Sequence, residues 1–446
     1  MTQNDALQLF HRWTTVPFHE DLLVHTLAHL DGPYAFVLLD RRNHTLYYGR
    51  DPLGRRSLLY APVAGAHLLA SAASRASVQA DVHWTEVPCT SLWRLSLNAG
   101  AEPVPIARSS PYALRLTLAP PGPSHVLSEV VPVLERVLSE SVRVRVQGLG
   151  PTPSTAPVAL LFSGGLDCTV LAALAAEHLP LEYAIDLLNV AFENPRSIAA
   201  AWAAGAEAIP GTFPHDKYAV PDRVSARRSV QDLRRLYPAR TWNLVEVDVP
   251  YTEYEAHVDT VYTLMHPSAT VMDLSIACAL YFAARGEGRV DGHPYRSTAS
   301  VLLSGLGADE LLAGYARHRQ AWRRGGNEAL TAELQLDLDR LPTRNLGRDD
   351  RVVSAHSREA RYPYLARPVL SLLAALPVQA KAHLEEELGD KKLLRLLAHQ
   401  RGVAYAATLP KRAIQFGARS AKMDVHGARL PGTAGVPRPS EARTST

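Results

Sequence analysis

The chain has 446 residues, 47% of them apolar and 20% charged, which is typical of a globular protein large enough for two or three domains. Three cysteines far apart in sequence argue against a disulfide framework or zinc site, and a net charge of +3 argues against a dedicated nucleic-acid binder. No apolar run reaches the roughly 18 residues of a membrane span and no cleavable signal is recognisable, so we expect a cytoplasmic protein without a membrane partner.

The first part of the chain alternates short apolar runs with turn residues. This pattern predicts a meander of antiparallel strands at residues 34–39, 45–49, 57–61 and 67–70. Residues 101–124 are rich in Pro, Ser and Ala and are predicted to be a linker. Apolar residues recur at helical spacing over 125–146, with one proline inside, and a loop is predicted at 147–157.

From residue 158 onward, continuous apolar runs of strand length alternate with helical patterns. The predicted strands begin at residues 158, 183, 242 and 301, and the predicted helices include 168–179, 197–208 and 271–286. Continuous strands alternating with helices indicate a parallel sheet covered on both faces, which is an α/β fold. The tail from about residue 425 is predicted to be disordered because it is rich in Pro, Gly, Ser and Thr.

The stretch "LLFSGGLDCTV" places a glycine loop between a buried strand and a helix. Backbone amides at a helix N-terminus attract anions, and Gly164 and Gly165 would let the backbone wrap around a phosphate. Ser163 and Thr169 would add hydroxyl donors, and Asp167 would fit beside phosphate if Mg²⁺ lies between them. The Gly-Lys-Ser/Thr of a P-loop is absent. The alternative is a tight strand-to-helix turn without a ligand.

A second loop, "LLSGLGADELLAGY", repeats this chemistry. Ser304, Gly305 and Gly307 open a helix, and Asp309 and Glu310 lie in its first turn. Because both loops follow strands of one predicted parallel sheet, they would meet in a crevice at its carboxyl edge, where such folds bind nucleotides. The glycine spacing of a dinucleotide site is absent from both loops.

Two later segments carry further candidates. In "DDRVVSAHSREARYPYL", Glu359 is a candidate catalytic carboxylate beside Arg361, and the alternative is an exposed salt-bridged loop. In "LGDKKLLRLLA", Lys391 and Arg395 are spaced i, i+4 on one predicted helix face. A lysine there would neutralise phosphate charge that develops during transfer, and the alternative is a solvated helix face.

With these segments in view, the chain resembles the asparagine synthetase family, and within it the branch of asparagine synthetase domain-containing proteins. The resemblance is strongest at "LLFSGGLDCTVLA", "LLSGLGADELLAGYARHR", "SREARYPYL" and "GDKKLLRLLA". It implies a β-rich glutamine amidotransferase domain of N-terminal nucleophile type at 1–115 and an ATP-pyrophosphatase domain, adenine nucleotide alpha hydrolase-like, at 125–424. The family reaction uses ATP and Mg²⁺ to convert aspartate into an acyl-adenylate, which ammonia from glutamine attacks to give asparagine, AMP and pyrophosphate.

The resemblance also assigns roles residue by residue. The loop residues would hold pyrophosphate, two carboxylates would hold magnesium, and Lys391 would stabilise the adenylation transition state. Two apolar residues would pack against adenine, and the second loop would contact the nucleotide. The residues that would hold pyrophosphate are Ser163, Gly164, Gly165, Asp167, Cys168 and Thr169. Asp167 and Asp309 would hold magnesium, Leu161 and Val190 would contact adenine, and Ser304 and Gly305 would contact the nucleotide. The expected partners are ATP, aspartate, and ammonia or glutamine, and the resemblance leaves a homodimer open.

The first departure from the family pattern concerns the glutaminase. The family's nucleophile is a Cys directly after the initiator Met, and its α-amino group activates the thiol. This sequence begins Met1-Thr2-Gln3, and its first cysteine is Cys89. We therefore expect either a gene model that starts late or a degenerate domain, and no glutamine hydrolysis by the sequence as written.

Three more departures lie in the second domain. Leu306 replaces the family's Glu in Ser-Gly-Glu-Gly, and a leucine cannot accept a proton. Cys168 replaces a hydroxyl residue, and its place at a helix N-terminus would lower its pKa. Asp273 stands where synthetases tend to have Arg, so an anionic group would disfavour a dicarboxylate substrate.

Three functions are therefore open. The first is an ATP-dependent ligase of asparagine synthetase type that uses free ammonia. The second is a non-catalytic nucleotide binder that acts as a scaffold or regulator. The third is an enzyme that activates a carboxylate and closes a ring without ammonia, with which Leu306 is compatible.

Overall fold

A computed structural model describes residues 5–15, 17–98, 100–108, 127–149, 156–196, 198, 216–421, 423 and 434–436. Nearly all of the predicted helix at 197–208 and of the predicted disordered tail lies outside these ranges. Among the described residues, no helix has both the length and the apolar character needed to cross a membrane.

The N-terminal part consists of two small antiparallel sheets and three helices. Its elements are α1 (Asp5–Thr14), α2 (Glu20–Ala28), β1 (Ala35–Asp40), β2 (Thr45–Arg50), β3 (Leu59–Val63), β4 (Ala66–Ala70), α3 (Arg75–Gln79), β5 (Thr85–Glu86), β6 (Ser91–Ser96) and β7 (Val104–Ala107). The sheets have the orders β1-β2-β6-β7 and β4-β3-β5. The predicted four strands are present, but the expected single meander is wrong, because β2 pairs with β6 instead of β3. The predicted linker is also wrong in part, since β7 lies inside it and pairs with β6.

The C-terminal part is a seven-stranded sheet covered by helices. Its elements are α4 (Leu127–Val146), β8 (Val158–Leu161), α5 (Leu166–His178), β9 (Ile185–Phe192), α6 (Pro221–Leu236), β10 (Trp242–Val249), α7 (Tyr251–Met265), α8 (Val271–Arg285), β11 (Glu287–Val290), β12 (His293–Arg296), β13 (Val301–Leu303), α9 (Ala308–Leu311), α10 (Ala316–Leu341), α11 (Gly347–Ser354), β14 (Glu359–Arg361), α12 (Arg367–Ala375), α13 (Lys392–Gln400), α14 (Ala404–Ala407) and α15 (Ile414–Gly417). A π-helical turn, Pro342–Leu346, joins α10 to α11, and short 3₁₀ turns lie at Pro363–Leu365 and Val378–Ala380.

The strand order β12-β11-β10-β9-β8-β13-β14 confirms the α/β class. The five strands from β10 to β14 in this order are parallel, as predicted, and the hairpin of β11 and β12 adds an antiparallel edge that makes the sheet mixed. Every residue of β9 is buried, which its continuous apolar sequence explains. Its two polar residues are satisfied: Asp186 accepts hydrogen bonds from Tyr295 and Asn243, and Asn189 donates to the carbonyl of Phe162 at 2.9 Å.

One buried lysine has a direct effect on stability. Lys381 is 1% exposed, and its Nζ donates to the carbonyl of Leu373 at 2.8 Å. Among the described residues, no carboxylate lies within ion-pair distance of it. Burial alone therefore lowers the pKa of Lys381 from 10.5 to about 7.

Replacing Lys381 by methionine is expected to stabilise the fold more at about pH 7 than at about pH 9. Below pH 7 the lysine is protonated in both states, so the burial penalty is complete; between pH 7 and 10.5 only the unfolded chain binds the proton, so stability rises with pH. The advantage of methionine should shrink by about 2–3 kcal/mol between these two pH values, at about 1.36 kcal/mol per pKa unit. Urea unfolding with exposed Lys217→Met as control measures this, and an equal gain at both pH values would refute it.

Candidate functional site

The two glycine loops meet where the strand order of the sheet changes direction. The chain runs from β8 to β9 and β10 on one side, whereas β13 and β14 lie on the other side of β8. A crevice outside the carboxyl ends of the strands at such a point is the usual ligand site of open α/β sheets. A Cβ placed on Gly305 would lie only 3.0 Å from the Cβ of Asp167, so the second loop touches the first.

The first loop is held from behind by α6. Ser225 Oγ donates to the carbonyl of Ser163 at 2.8 Å, and Ser229 Oγ donates to the carbonyl of Gly164 at 2.6 Å. Gly164 has φ of 75°, and a Cβ there would overlap the backbone nitrogen of Ala226. Only glycine satisfies both the conformation and this close approach, so the loop and α6 fix each other.

The hydroxyl of Thr169 and the thiol of Cys168 support the same loop. Thr169 Oγ1 donates to the carbonyl of Gly165 at 2.7 Å, and Cys168 Sγ lies 3.3 Å from that oxygen. Burial raises the pKa of the Cys168 thiol, although a hydrogen bond with Ser163 opposes this. The expected lowering of this pKa is therefore wrong, because desolvation outweighs the favourable end of the helix.

The centre of the crevice is a cluster of buried charges. Lys391 Nζ lies 2.6 and 2.7 Å from the two carboxylate oxygens of Asp167 and 2.6 Å from Oδ1 of Asp309. The other oxygen of Asp309 pairs with Nζ of Lys411. Lys391 is only 2% exposed. One ammonium group thus joins the carboxylates of both loops.

Burial and mutual attraction set the charges of this cluster. Burial lowers the pKa of Lys391, but Asp167 and Asp309 together raise it above its ordinary value, so the ammonium stays protonated. Burial alone would raise the pKa of Asp309. Lys391 and Lys411 lower it by more than burial raises it, so the pKa lies below its ordinary value and this carboxylate stays ionised. For Asp167, burial is the larger effect and its pKa is raised.

Lys391 does not lie on a helix face as predicted, because it precedes the helix and its backbone is left-handed. Its φ is 51° and its ψ 32°, and α13 begins only at Lys392. Non-glycine residues in this left-handed region are held there by their surroundings, in this case by a hydrogen bond from the Lys391 amide to the carbonyl of Leu312 at 2.9 Å. Arg395 also lines the cavity, but its guanidinium is occupied by Asp390 at 2.8 Å and by the carbonyl of Ala407 at 2.8 Å.

A cavity of about 410 Å³ opens at this cluster, a volume suited to a small-molecule ligand. Ten of the predicted residues line it: Leu161, Ser163, Gly165, Asp167, Cys168, Val190, Ser304, Gly305, Asp309 and Lys391. Gly164 and Thr169 are absent from the lining and shape the loop instead.

Glu359 is the predicted residue that the structure places elsewhere. It begins β14 beside Val301, at the amino end of the parallel strands, which is the opposite edge of the sheet from the glycine loops. Its carboxylate binds Arg361 at 3.0 Å and Arg56 at 2.5 Å. The structure therefore corrects the catalytic assignment in favour of the salt-bridged alternative.

Several lining residues escaped the sequence analysis. Lys411 is one, because only the fold brings it to Asp309. Asp222 is another, with a pKa that burial raises to about 7 and Arg412 at 3.6 Å. Tyr315 is a third, and its hydroxyl donates to Oε1 of Glu310 at 2.7 Å. Asp222 is the second residue of α6, but no glycine loop precedes it, so the sequence gives no signal for it.

Asp273, which was expected to present a negative charge to the substrate, has partners of its own. It lies in the first turn of α8, and its carboxylate accepts from Arg348 Nη1 at 2.7 Å and from Thr270 Oγ1 at 2.5 Å. Arg348 also binds Asp349 at 2.8 Å. Asp273 and Asp349 therefore share the single charge of Arg348 within the cavity wall, which offsets the charge of Asp273 in part.

The donor set suits a magnesium ion shared with a ligand. Among the described residues, no group of three or more His, Cys, Asp or Glu side chains converges as a protein-only metal centre requires. Mg²⁺ is usually bound by one or two carboxylates together with substrate phosphates and water. Asp167 and Asp309, already converging on one cation, fit that arrangement.

Comparisons with known proteins agree with this architecture. Residues 5–77 match the glutamine amidotransferase domain family, and residues 134–237 and 323–423 match the asparagine synthase family. Asparagine synthetase domain-containing protein 1 of Bos taurus is 34% identical over 529 residues, covering 95% of this chain and 82% of the relative. An asparagine synthetase domain-containing protein of Saccharomyces cerevisiae is 38% identical over 421 residues, covering 91% and 74%.

Among solved structures, a glutamine phosphoribosylpyrophosphate amidotransferase from B. subtilis matches 55% of each chain at 14% identity and a TM-score of 0.22, which is too weak a likeness to bear on function. The fold and the sequence matches define an α/β protein in which a β-rich amidotransferase-like domain precedes an asparagine synthase domain. The chain belongs to the family of asparagine synthetase domain-containing proteins.

Gly314 provides a steric test of the charge cluster. A Cβ there would overlap Oδ1 of Asp309 and Cε of Lys391. We expect Gly314→Ala to force the two side chains apart at a cost of about 1–3 kcal/mol in the free energy of unfolding and to abolish any rise in melting temperature caused by Mg-ATP. Gly32→Ala, where no atom lies within 4 Å of the added Cβ, is the matched control. A Gly314→Ala variant that responds to Mg-ATP like the control would contradict this account of the site.

Proposed function

We propose that this protein is an ATP-dependent ligase of asparagine synthetase type, which activates the side-chain carboxylate of aspartate as an acyl-adenylate and releases pyrophosphate. The observation that carries the proposal is the bridge from Lys391 to Asp167 and Asp309, because it unites two phosphate-type loops and a cation at one crevice. Family membership supports the same class of reaction without establishing it for this chain.

Each part of the cluster has a proposed task toward ATP. The backbone amides of the two glycine loops would bind phosphate oxygens at the starts of α5 and α9. Asp167 and Asp309 would hold Mg²⁺, which supplies charge neutralisation to the phosphates when bound. Lys391 and Lys411 would then face phosphate oxygens and stabilise the charge that develops as pyrophosphate leaves.

The remaining cavity walls suggest where the other groups bind. Leu161 and Val190 are apolar lining residues on adjacent strands, and we propose that they contact adenine. The Asp273–Arg348 pair lies in the same cavity but outside the two loops. We propose that this paired wall contacts the acceptor.

We propose free ammonia as the nitrogen donor for the described part of the chain. The cysteines there, Cys89, Cys168 and Cys278, are all buried, and Cys89 and Cys168 are free thiols. Burial raises the pKa of Cys89 to about 12, so this thiol in the amidotransferase-like domain is not activated for attack on glutamine. Free thiols are compatible with the reducing cytoplasm, which we propose as the compartment.

A non-catalytic nucleotide-binding role is the second candidate, and Leu306 is the observation that favours it. Its side chain lines the cavity and packs against the hydrophobic core, and its amide donates to Ser304 Oγ at 3.3 Å. An apolar group at this point neither accepts a proton nor holds an ammonium ion. In this case ATP would stabilise the protein without turnover.

Pyrophosphate release separates the two candidates. With Mg-ATP, aspartate and ammonium, we expect release of pyrophosphate and asparagine in equal amounts, dependent on all three substrates. Asp167→Asn should abolish both release and the rise in melting temperature, whereas Asp291→Asn, at a side chain that is 76% exposed, should change neither. A melting shift without pyrophosphate would favour the non-catalytic role, and no melting shift in the parent would refute both candidates.

A further inference from the structure

The segment from Pro342 to Arg351 has one face toward the cavity and one toward the N-terminal domain; we call it the wall segment. Four of its residues line the cavity: Arg344, Asn345, Arg348 and Asp349. The two residues that follow, Asp350 and Arg351, are buried on the other side. A displacement of the wall segment would therefore move the Arg348–Asp273 pair.

Glu86 is the N-terminal residue that holds this segment most directly. Its carboxylate accepts from Arg351 Nη1 at 2.7 Å and from Arg50 Nη1 at 2.8 Å. A Cβ on Gly347 would lie 2.5 Å from Oε1 of Glu86, so only glycine lets the carboxylate lie against the first turn of α11. The side chain of Glu86 is 6% exposed, which makes this bridge a buried one.

Other residues of the N-terminal domain also bind the wall segment. Asp350 accepts from the amide of Ser57 at 2.8 Å and from Arg56 Nη1 at 2.9 Å. Arg351 Nη1 also donates to Ser57 Oγ at 2.8 Å. Buried charges of this kind are costly when one partner is removed, so the network tolerates little movement of α11.

We propose that Glu86 is a positioning residue of the N-terminal domain, which fixes the wall segment and thereby the Arg348–Asp273 pair that contacts the acceptor. This inference rests on the proposed function, and it gives the amidotransferase-like domain a task that does not require glutamine hydrolysis. The glycine loops, which lie outside the wall segment, should be insensitive to Glu86.

The kinetic test compares two variants of the full chain that carry the same chemical change. Glu86→Gln should raise KM for aspartate about tenfold or more, because small displacements of positioning groups are amplified in this way, while kcat and the melting shift with Mg-ATP stay close to the parent values. Glu20→Gln, at an exposed ion pair of the same domain, should change none of these quantities, and Glu86→Asp should recover much of the KM. An unchanged KM, or a loss of the Mg-ATP shift together with it, would overturn the proposal.

Hydrogen exchange tests the positioning without any turnover. In Glu86→Gln, the backbone amides of residues 343–351 should exchange faster than in the parent and in Glu20→Gln, and those of residues 163–169 should not. Unchanged exchange at 343–351, or equal acceleration in both segments, would overturn the proposal. If Glu86→Gln does not unfold cooperatively, Glu86→Gln combined with Arg50→Met and Arg351→Met removes both buried guanidinium groups that Glu86 pairs with, and this variant is measured instead. A parent that releases no pyrophosphate refutes the proposed function, and the exchange result still decides the positioning.

Discussion

The ion bridge from Lys391 to Asp167 and Asp309 is the constraint on which the rest of the site depends. Three charges from distant parts of the chain are buried together, and removal of one would leave the others uncompensated. The residues around the bridge keep these three charges together. Gly314 leaves the space for the two side chains, the left-handed backbone at Lys391 aims its ammonium group, and contact between the loops brings the carboxylates within reach of it.

The sequence predicts those parts of the site whose chemistry is local. A buried strand that ends in Ser-Gly and continues into a helix with an early Asp predicts a loop at the carboxyl edge of a sheet, and the strand order places both such loops together. Lys411 and Asp222 were not predictable in this way, because their roles depend on a neighbour far away in the chain. Glu359 was predicted to be catalytic from a sequence motif, and this prediction is wrong. The parallel pairing of β14 with β13 places Glu359 at the amino edge of the sheet, opposite the glycine loops.

The N-terminal part was predicted less completely for a related reason. The sequence of a short antiparallel strand does not indicate which strand it pairs with. Pairing between consecutive strands is therefore the default prediction, whereas β2 pairs with β6. The strand β7 is only four residues long and contains Pro105, a composition that favours a linker unless a neighbouring edge is available. The buried charges between this domain and α11 depend in the same way on contacts that no local pattern reveals.

The most direct measurement is a crystal structure with Mn²⁺ and a non-hydrolysable ATP analogue. The account predicts an anomalous manganese peak between the carboxylates of Asp167 and Asp309, with Nζ of Lys391 moved onto a phosphate oxygen of the analogue. A nucleotide bound away from the two glycine loops, with the bridge from Lys391 to both carboxylates intact, would contradict it.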